Sequence, residues 1–353
     1  MMLGQRKSDH LHICLHEDVA FRGLTTGFER YRLVHRALPD LAPDDVDLST
    51  TFLGRPLRAP LLISPMTGGT PLAGEINRRL AGAAQSLGLA MGVGSQRIAI
   101  EEPALASTYR VRDVAPDIVL LANLGAVQLN YGYGLDECRR AVEMIGADGL
   151  VLHLNPLQEH LQSEGNANFR GLLPKIARVC EGLGAPVIVK EVGWGLSPEV
   201  VRALFDAGVA AVDVAGAGGT SWSRVEAYRR PGGEHARLAA AFEQWGIPTA
   251  EAIRGARLAA GPERTIIGSG GVRDGLQVAK ALALGANLAG LALPLLKPAT
   301  LSTEAVIERL EQLLAELRLA AFLTGSRTVE DLRRVPVIAA RPAEPLGEES
   351  HGP

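Results

Sequence analysis

The chain has few cysteines, and they form no pattern. Three occur in 353 residues, Cys14, Cys138 and Cys180, with no CxxC pair. That argues against a disulfide framework or a zinc knuckle and fits a reducing compartment. Net charge is also small: 36 Lys and Arg against 39 Asp and Glu leave −3. Such a balance gives no hint of a nucleic-acid partner. Long apolar runs are missing as well. No segment reaches the ~18 apolar residues of a membrane span. The opening MMLGQRKSDHLHICLHED lacks the apolar stretch of a signal peptide. The expectation is a soluble cytoplasmic protein. What the chain does have is 47% hydrophobic residues, enough for a large core, in a length that suits one large domain or two small ones.

Short β-rich apolar runs recur along it. They are residues 61–65 (LLISP), 89–93 (LAMGV), 118–122 (IVLLA), 150–154 (LVLHL), 186–190 (PVIVK), 211–214 (AVDV), 265–269 (TIIGS) and 288–293 (LAGLAL). Most are apolar throughout, as strands buried on both faces of a parallel sheet should be. Between them, residues 73–87, 137–145, 172–183, 198–207, 238–245, 250–260 and 275–284 carry apolar residues at helical spacing. Eight β–α units in about 250 residues predict an α/β fold of the TIM (β/α)8 class. A doubly wound open sheet is the alternative. Residues 1–60 read as an N-terminal arm and extension, 61–335 as the barrel, and 336–353 as a tail expected to be disordered.

In a barrel, active sites sit at the C-terminal ends of the strands. Those ends are polar or glycine-rich here, whereas the opposite ends are plain turns such as Arg58-Ala59-Pro60. One loaded face predicts an enzyme. The fourth run shows this best, in GLVLHLNPLQE at 149–159. Alternation places Val151, His153 and Asn155 on one face and Leu150, Leu152 and Leu154 on the other. The leucines should pack on helices. His153 and Asn155 then point into the mouth, with Gln158 and Glu159 on the loop that follows. A lone carboxylate at Glu159 is too little for zinc but suits Mg2+, which takes one or two carboxylates plus substrate phosphates.

The last two strands end in GSGGV (268–272) and LALPL (291–295), where barrels of this class commonly bind phosphate. Glycines let backbone N–H groups approach an anion, and a helix starting near Arg273 adds its positive end. GAGGT at 216–220, with the Thr220 hydroxyl, is similar. Lys190 ends the apolar run VIVK. A buried ammonium must meet an anion or lose its proton. It could be a Schiff-base nucleophile, a phosphate clamp, the partner of an anionic cofactor, or a snorkelling strand-end lysine.

Over about residues 5–340 the sequence resembles the type 2 isopentenyl-diphosphate isomerases, FMN-dependent enzymes that interconvert isopentenyl and dimethylallyl diphosphate. The resemblance rests on Arg6-Lys7-Ser8-Asp9-His10, Pro65-Met66-Thr67-Gly68-Gly69, Gly94-Ser95-Gln96-Arg97, Asn123-Leu124-Gly125, His153 to Glu159, Lys190-Glu191-Val192-Gly193, Gly218 to Trp222 and Gly270-Gly271-Val272-Arg273. His-x-Asn-x-x-Gln-Glu with the N-terminal Arg-Lys is specific; the GG[IV]R turn alone is not. The resemblance implies FMN against Pro65, Met66, Thr67, Ser95, Asn123, Lys190 and Thr220. The FMN phosphate is expected on Gly270, Gly271, Val272, Ala292 and Leu293. It implies substrate diphosphate on Arg6, Lys7, Ser95, Gln96, Arg97, His153, Asn155 and Gln158, and Mg2+ on Glu159. Lys190, His153 and Gln158 are the implied catalytic residues, with Lys190 serving the reduced flavin. NADPH as reductant and a homo-oligomer, tetramer or octamer, are also implied. Moving a double bond needs one proton added and another removed, and an unactivated alkene is a very poor base, which fits a reduced flavin as acid–base. A 2-hydroxy-acid oxidase on the same barrel is the alternative, and a non-enzymatic flavin-binding scaffold is a third reading.

Overall fold

The computed structural model describes residues 2–340. Eight parallel strands close into a barrel: β1 (Leu61–Ile63), β2 (Ala90–Gly92), β3 (Leu120–Gly125), β4 (Gly149–Leu154), β5 (Val187–Glu191), β6 (Ala211–Asp213), β7 (Thr265–Gly268) and β8 (Leu288–Leu291). Closure is made by β8 against β1, with Ala289 opposite Leu61 and Leu291 opposite Ile63. The doubly wound alternative, which has two open edges, is thereby excluded.

Strand alternation sorts the side chains. Leu62, Ala90, Leu121, Val151, Ile188, Ala211, Ile267 and Leu288, one from each strand, form a single apolar cluster inside the barrel. Their neighbours, among them Ile63, Met91, Leu150, Leu152 and Val189, pack outward on the helices. The leucines of the fourth strand therefore behave as expected. Each fully buried Leu or Ile contributes roughly 1.5–3 kcal/mol. The N-terminal extension plugs the bottom. Its hairpin, Thr50–Phe52 with Arg55–Leu57, adds Phe52 and Leu57 to the interior cluster.

Two residues beyond the apolar position, on the same inner face, stand Ser64, Gly92, Asn123, His153, Lys190, Asp213, Ser269 and Gly290. Every strand switches from apolar to polar or glycine at this level. Glycine is required at Gly290, where a Cβ would collide with the Ser64 hydroxyl and the Ser269 side chain.

Several elements depart from expectation. Trp222–Arg229 and Leu293–Leu301 are helices, and the helix expected at 238–245 lies at Gly233–Ala241. The long helix Thr303–Leu323 buries Val306, Leu310, Leu313 and Leu317 on one stripe. The tail boundary at 336 moves as well, because Val337–Ala339 pairs antiparallel with Tyr31–Leu33. Residues 341–353, the rest of the expected tail, lie outside the described residues.

Candidate active site

A cavity of about 510 Å3 opens at the C-terminal end of the barrel. It is lined by strand ends from around the barrel and by the N-terminal helix Met2–His16. That helix lies over the mouth, anchored through buried Leu11 and Ile13. Its polar side carries Lys7, whose Nζ donates to the Ser95 carbonyl at 2.9 Å and the Tyr109 hydroxyl at 3.1 Å. Arg6 donates to Gln162 Oε1 at 3.0 Å. His10 Nε2 is 2.9 Å from Glu226 Oε1. Burial, aided by the neighbouring Arg6 charge, pulls Lys7 down to about 7. Burial also lowers Arg6, against the pull of Glu159, Glu164 and Glu226.

His153 Nδ1 lies 2.8 Å from Asn123 Oδ1. The Asn123 amide nitrogen already donates to the Val93 carbonyl at 3.1 Å, so its oxygen is the acceptor and His153 carries its proton on Nδ1. Burial, then Lys190, Lys7 and Arg6, push His153 down to about 3. The imidazole is neutral, with a bare Nε2.

Pro156 opens a helix, Pro156–Leu161, with its φ set for the first turn. Gln158 and Glu159 therefore sit on the first helical turn and not on a loop. Asn155 Nδ2 donates to Gln158 Oε1 and Glu159 Oε1, each at 3.0 Å. The Asn166 amide donates to Glu159 Oε2 at 2.6 Å. Asn155 Oδ1 is buried without a partner. Among the described residues no three His, Cys, Asp or Glu cluster to hold a metal. One carboxylate beside an orphaned amide oxygen offers hard oxygen donors. That fits Mg2+ only if substrate oxygens complete the shell.

Lys190 lies between His153 and Asp213 in the strand register. Its Nζ donates to the Glu191 carbonyl at 2.6 Å. Glu191 faces outward and accepts from the amides of Val192, Gly193 and Trp194 at 2.6, 2.6 and 2.5 Å. Burial outweighs those bonds and lifts its carboxyl to about 7. Across the mouth, Gly219 and Gly271 are packed backbone on backbone, so that a Cβ on either would strike the other; Gly271 has φ 73°. With Gly270, Val272, Ala292 and the start of helix Leu293–Leu301, they form a cradle on the cavity wall beside Arg273 and Arg309. The glycines let these backbone segments pack against one another at the cavity wall, and the exposed amides there fit a phosphate.

Every residue expected to bind cofactor, substrate or metal lines this cavity except Gln96. Gln96 is a correction. It is fully buried, donates to the Ala141 carbonyl at 2.9 Å and accepts from the Asn123 amide at 2.9 Å. Its amide is consumed in fixing β3 to the helix Leu135–Ile145 and has nothing left for a substrate. Sequence reasoning also missed residues. Glu226, on the helix Trp222–Arg229, accepts from Gln162 at 2.7 Å and lies 3.5 Å from Gln158. Burial pushes its carboxyl up, but His10, Gln162 and Arg229 outweigh that and hold it near 2. Cys14, read only as part of the N-terminal arm, lines the cavity, and burial pushes its thiol up to about 12.

The model of the FMN-dependent dehydrogenase family matches residues 2–112 and 143–338, and the chain belongs to that family. The fold agrees. A lactate oxidase of Pediococcus acidilactici superposes with a TM-score of 0.68 at 18% identity, covering 96% of this chain and 94% of the oxidase. A mandelate oxidase variant gives 0.65 at 20% identity, covering 94% and 92%. Curated relatives define the narrower group. The isopentenyl-diphosphate delta-isomerase of a Nostoc species is 55% identical over 93% of both chains. That of Xanthobacter autotrophicus is 56% identical over 95% of this chain and 97% of its own. The chain thus belongs to the isopentenyl-diphosphate delta-isomerases. Among the described residues no helix is long and apolar enough to cross a membrane.

Proposed function

We propose that the protein interconverts isopentenyl and dimethylallyl diphosphate at this mouth, with reduced FMN on the glycine cradle and Mg2+ at Glu159. The carrying observation is that one cavity is lined at two places by groups that suit anions. One is the backbone cradle at Gly270, Gly271 and Ala292 beside Arg273. The other is the cationic wall of Arg6, Lys7 and Arg97 around neutral His153. A cofactor phosphate suits the first. The second carries more positive charge than one carboxylate of a hydroxy acid requires, and suits a diphosphate.

When bound, reduced FMN supplies an acid–base group strong enough for an unactivated alkene. The protein supplies the rest. Arg6, Lys7 and Arg97 hold the diphosphate, joined by the Ser95 side chain, while Asn155, whose amide hydrogens serve Gln158 and Glu159, offers only its Oδ1 and would meet the diphosphate through the metal. The N-terminal helix excludes water from the mouth, which strengthens each charge inside it. Lys190, deeper in the barrel, places a cation where the reduced cofactor's negative charge is held. Gln158, fixed by Asn155 and close to Glu226, is positioned to assist proton transfer. NADPH is the proposed source of reducing equivalents, a cytoplasmic homo-oligomer the proposed form.

The test is turnover of isopentenyl diphosphate by the purified yellow protein with Mg2+, read by NMR with and without dithionite or NADPH. Dimethylallyl diphosphate should form only after reduction. Bleaching of the flavin by lactate or mandelate, with no isomerisation, would establish a 2-hydroxy-acid oxidase instead.

A further inference from the structure

Tyr109 is the bulkiest of the fully buried side chains, and nothing in the proposed reaction yet uses it. It follows the short 3-10 helix Pro103–Thr108 in the connection from β2 to β3. Its ring packs on the loop after β1. A Cβ on Gly68 would strike the ring, and one on Gly69, at φ 84°, would strike Ile98 and stand 3.2 Å from the Tyr109 hydroxyl. The two segments are also tied to each other. Asn77 Nδ2 donates to the Thr67 carbonyl at 3.2 Å and the Thr108 carbonyl at 2.9 Å, and the Gly69 amide donates to Thr108 Oγ1 at 2.9 Å. Packing accounts for the ring. It does not account for the hydroxyl, because phenylalanine would fill the same space without burying a polar group.

The hydroxyl reaches the back of the cationic wall. It donates to the Ser95 carbonyl at 2.7 Å and accepts from Lys7 Nζ at 3.1 Å. Burial pushes the phenol well above its ordinary value, so it stays protonated and its one hydrogen goes to Ser95. Lys7 Nζ donates to the same carbonyl at 2.9 Å. The three groups therefore close a triangle. Ser95 and Lys7 line the cavity, and Tyr109 stands behind them. Two of the three N–H groups of the ammonium are directed at this pair of oxygens, which leaves one for a ligand. Without such partners a lysine is a point charge on a flexible stem, spread over many rotamers.

We propose that Tyr109 is a positioning residue whose hydroxyl, with the Ser95 carbonyl, forms a socket that holds the Lys7 ammonium at the wall for a diphosphate. The role deepens the substrate reading of the cavity and rests on it. Tyr109 thereby joins two parts of the mouth. Its ring braces the loop after β1, and its hydroxyl seats the N-terminal helix through Lys7. Gly68 and Gly69 make that approach possible, since a side chain on either would occupy the space the tyrosine needs.

The experiment is binding of inorganic pyrophosphate, with Mg2+ present, to the full-length oxidised holoprotein, read by calorimetry so that turnover plays no part. Tyr109→Phe keeps the ring and removes the hydroxyl. Its Kd should rise about three- to tenfold, the loss expected for one hydrogen bond. FMN content and flavin absorbance should match the parent. In a Lys7→Met background, where Arg6 and Arg97 keep binding measurable, the same substitution should change Kd by less than about twofold, because the residue it acts through is gone. An unchanged Kd in Tyr109→Phe overturns the proposal. An equal loss in both backgrounds also overturns it and makes the tyrosine a support of the fold. If Tyr109→Phe does not fold, Lys7→Ala takes its place. Ethylammonium should saturably restore pyrophosphate binding there by filling the intact socket, without tightening the parent, and absence of rescue overturns the proposal. A parent that binds no pyrophosphate sinks the diphosphate reading and this inference together. Parental binding untouched by loss of the hydroxyl sinks this inference alone.

Discussion

The floor and the mouth of the barrel use the same eight strands, two residues apart. At the floor, Leu62, Leu121, Ile188 and Ile267 meet the hairpin residues Phe52 and Leu57 in a packed apolar plug. At the mouth, Ser64, Asn123, Lys190 and Ser269 follow on the same strands, and two of the polar atoms, Ser64 Oγ and Asp213 Oδ2, are buried without partners. The floor satisfies every rule of packing. The mouth breaks the rule that buried polar groups are paired, and one of the two residues, Ser64, lines the cavity. Stability and chemistry are separated by about 6–7 Å of strand.

That separation can be attacked from both ends. The largest loss is expected in Lys190→Ala, on the order of 10^3-fold in kcat, because a preorganised cation is removed from a water-excluded site. Melting temperature and FMN content should stay close to those of the parent. Leu121→Ala, at the floor, should behave in the opposite way. It opens a cavity in a fully buried cluster and should cost about 2–5 kcal/mol in denaturant unfolding, while the folded fraction keeps its kcat. Equal loss of activity in the two variants would show that floor and mouth are one unit.

Glu159→Gln tests the proposed Mg2+ site. Its Mg2+ requirement should rise about tenfold or more, read by titrating activity with Mg2+, and FMN should remain bound. Loss of FMN would make Glu159 a structural residue. The smallest effect concerns protons. Lys7, held near 7 by burial, gives up its proton as pH rises above that value, and a bound diphosphate restores it. Binding at about pH 8 should take up a fraction of a proton, measured by calorimetry in buffers of different ionisation heat, and Lys7→Met should abolish it. The same burial fixes a sign in stability. The lysine's folded value lies below its ordinary 10.5, so the unfolded chain binds more protons between about 7 and 10.5, and stability from this group rises with pH across that window.

Much of this was readable in the chain. All eight strands stand out as apolar runs, and the asymmetry of their ends locates the mouth. His153 and Asn155 follow from alternation alone, and Lys190 announces itself as a charge in an apolar strand. Asp213 carries the same signal in AVDV and is just as legible. Glu226 is not. Its helix is short and polar, and its partners His10 and Gln158 lie 216 and 68 residues away, so only the fold brings them together. Gln96 misleads because Ser95 and Arg97 on either side do line the cavity. As the residue preceding the helix Arg97–Glu101, it turns back toward Ala141. The boundary of the tail was lost for a similar reason: Val337–Ala339 is ordered by a strand some 300 residues earlier.

The measurement closest to the central claim is isomerisation run in D2O with the reduced holoprotein. Proton addition at one carbon and removal at another, carried out at a mouth charged as described, predicts solvent deuterium in the new methyl group of dimethylallyl diphosphate. It also predicts that Lys190→Ala slows incorporation and turnover together. Product formed at the parental rate without deuterium, or incorporation untouched by loss of Lys190, would contradict the account.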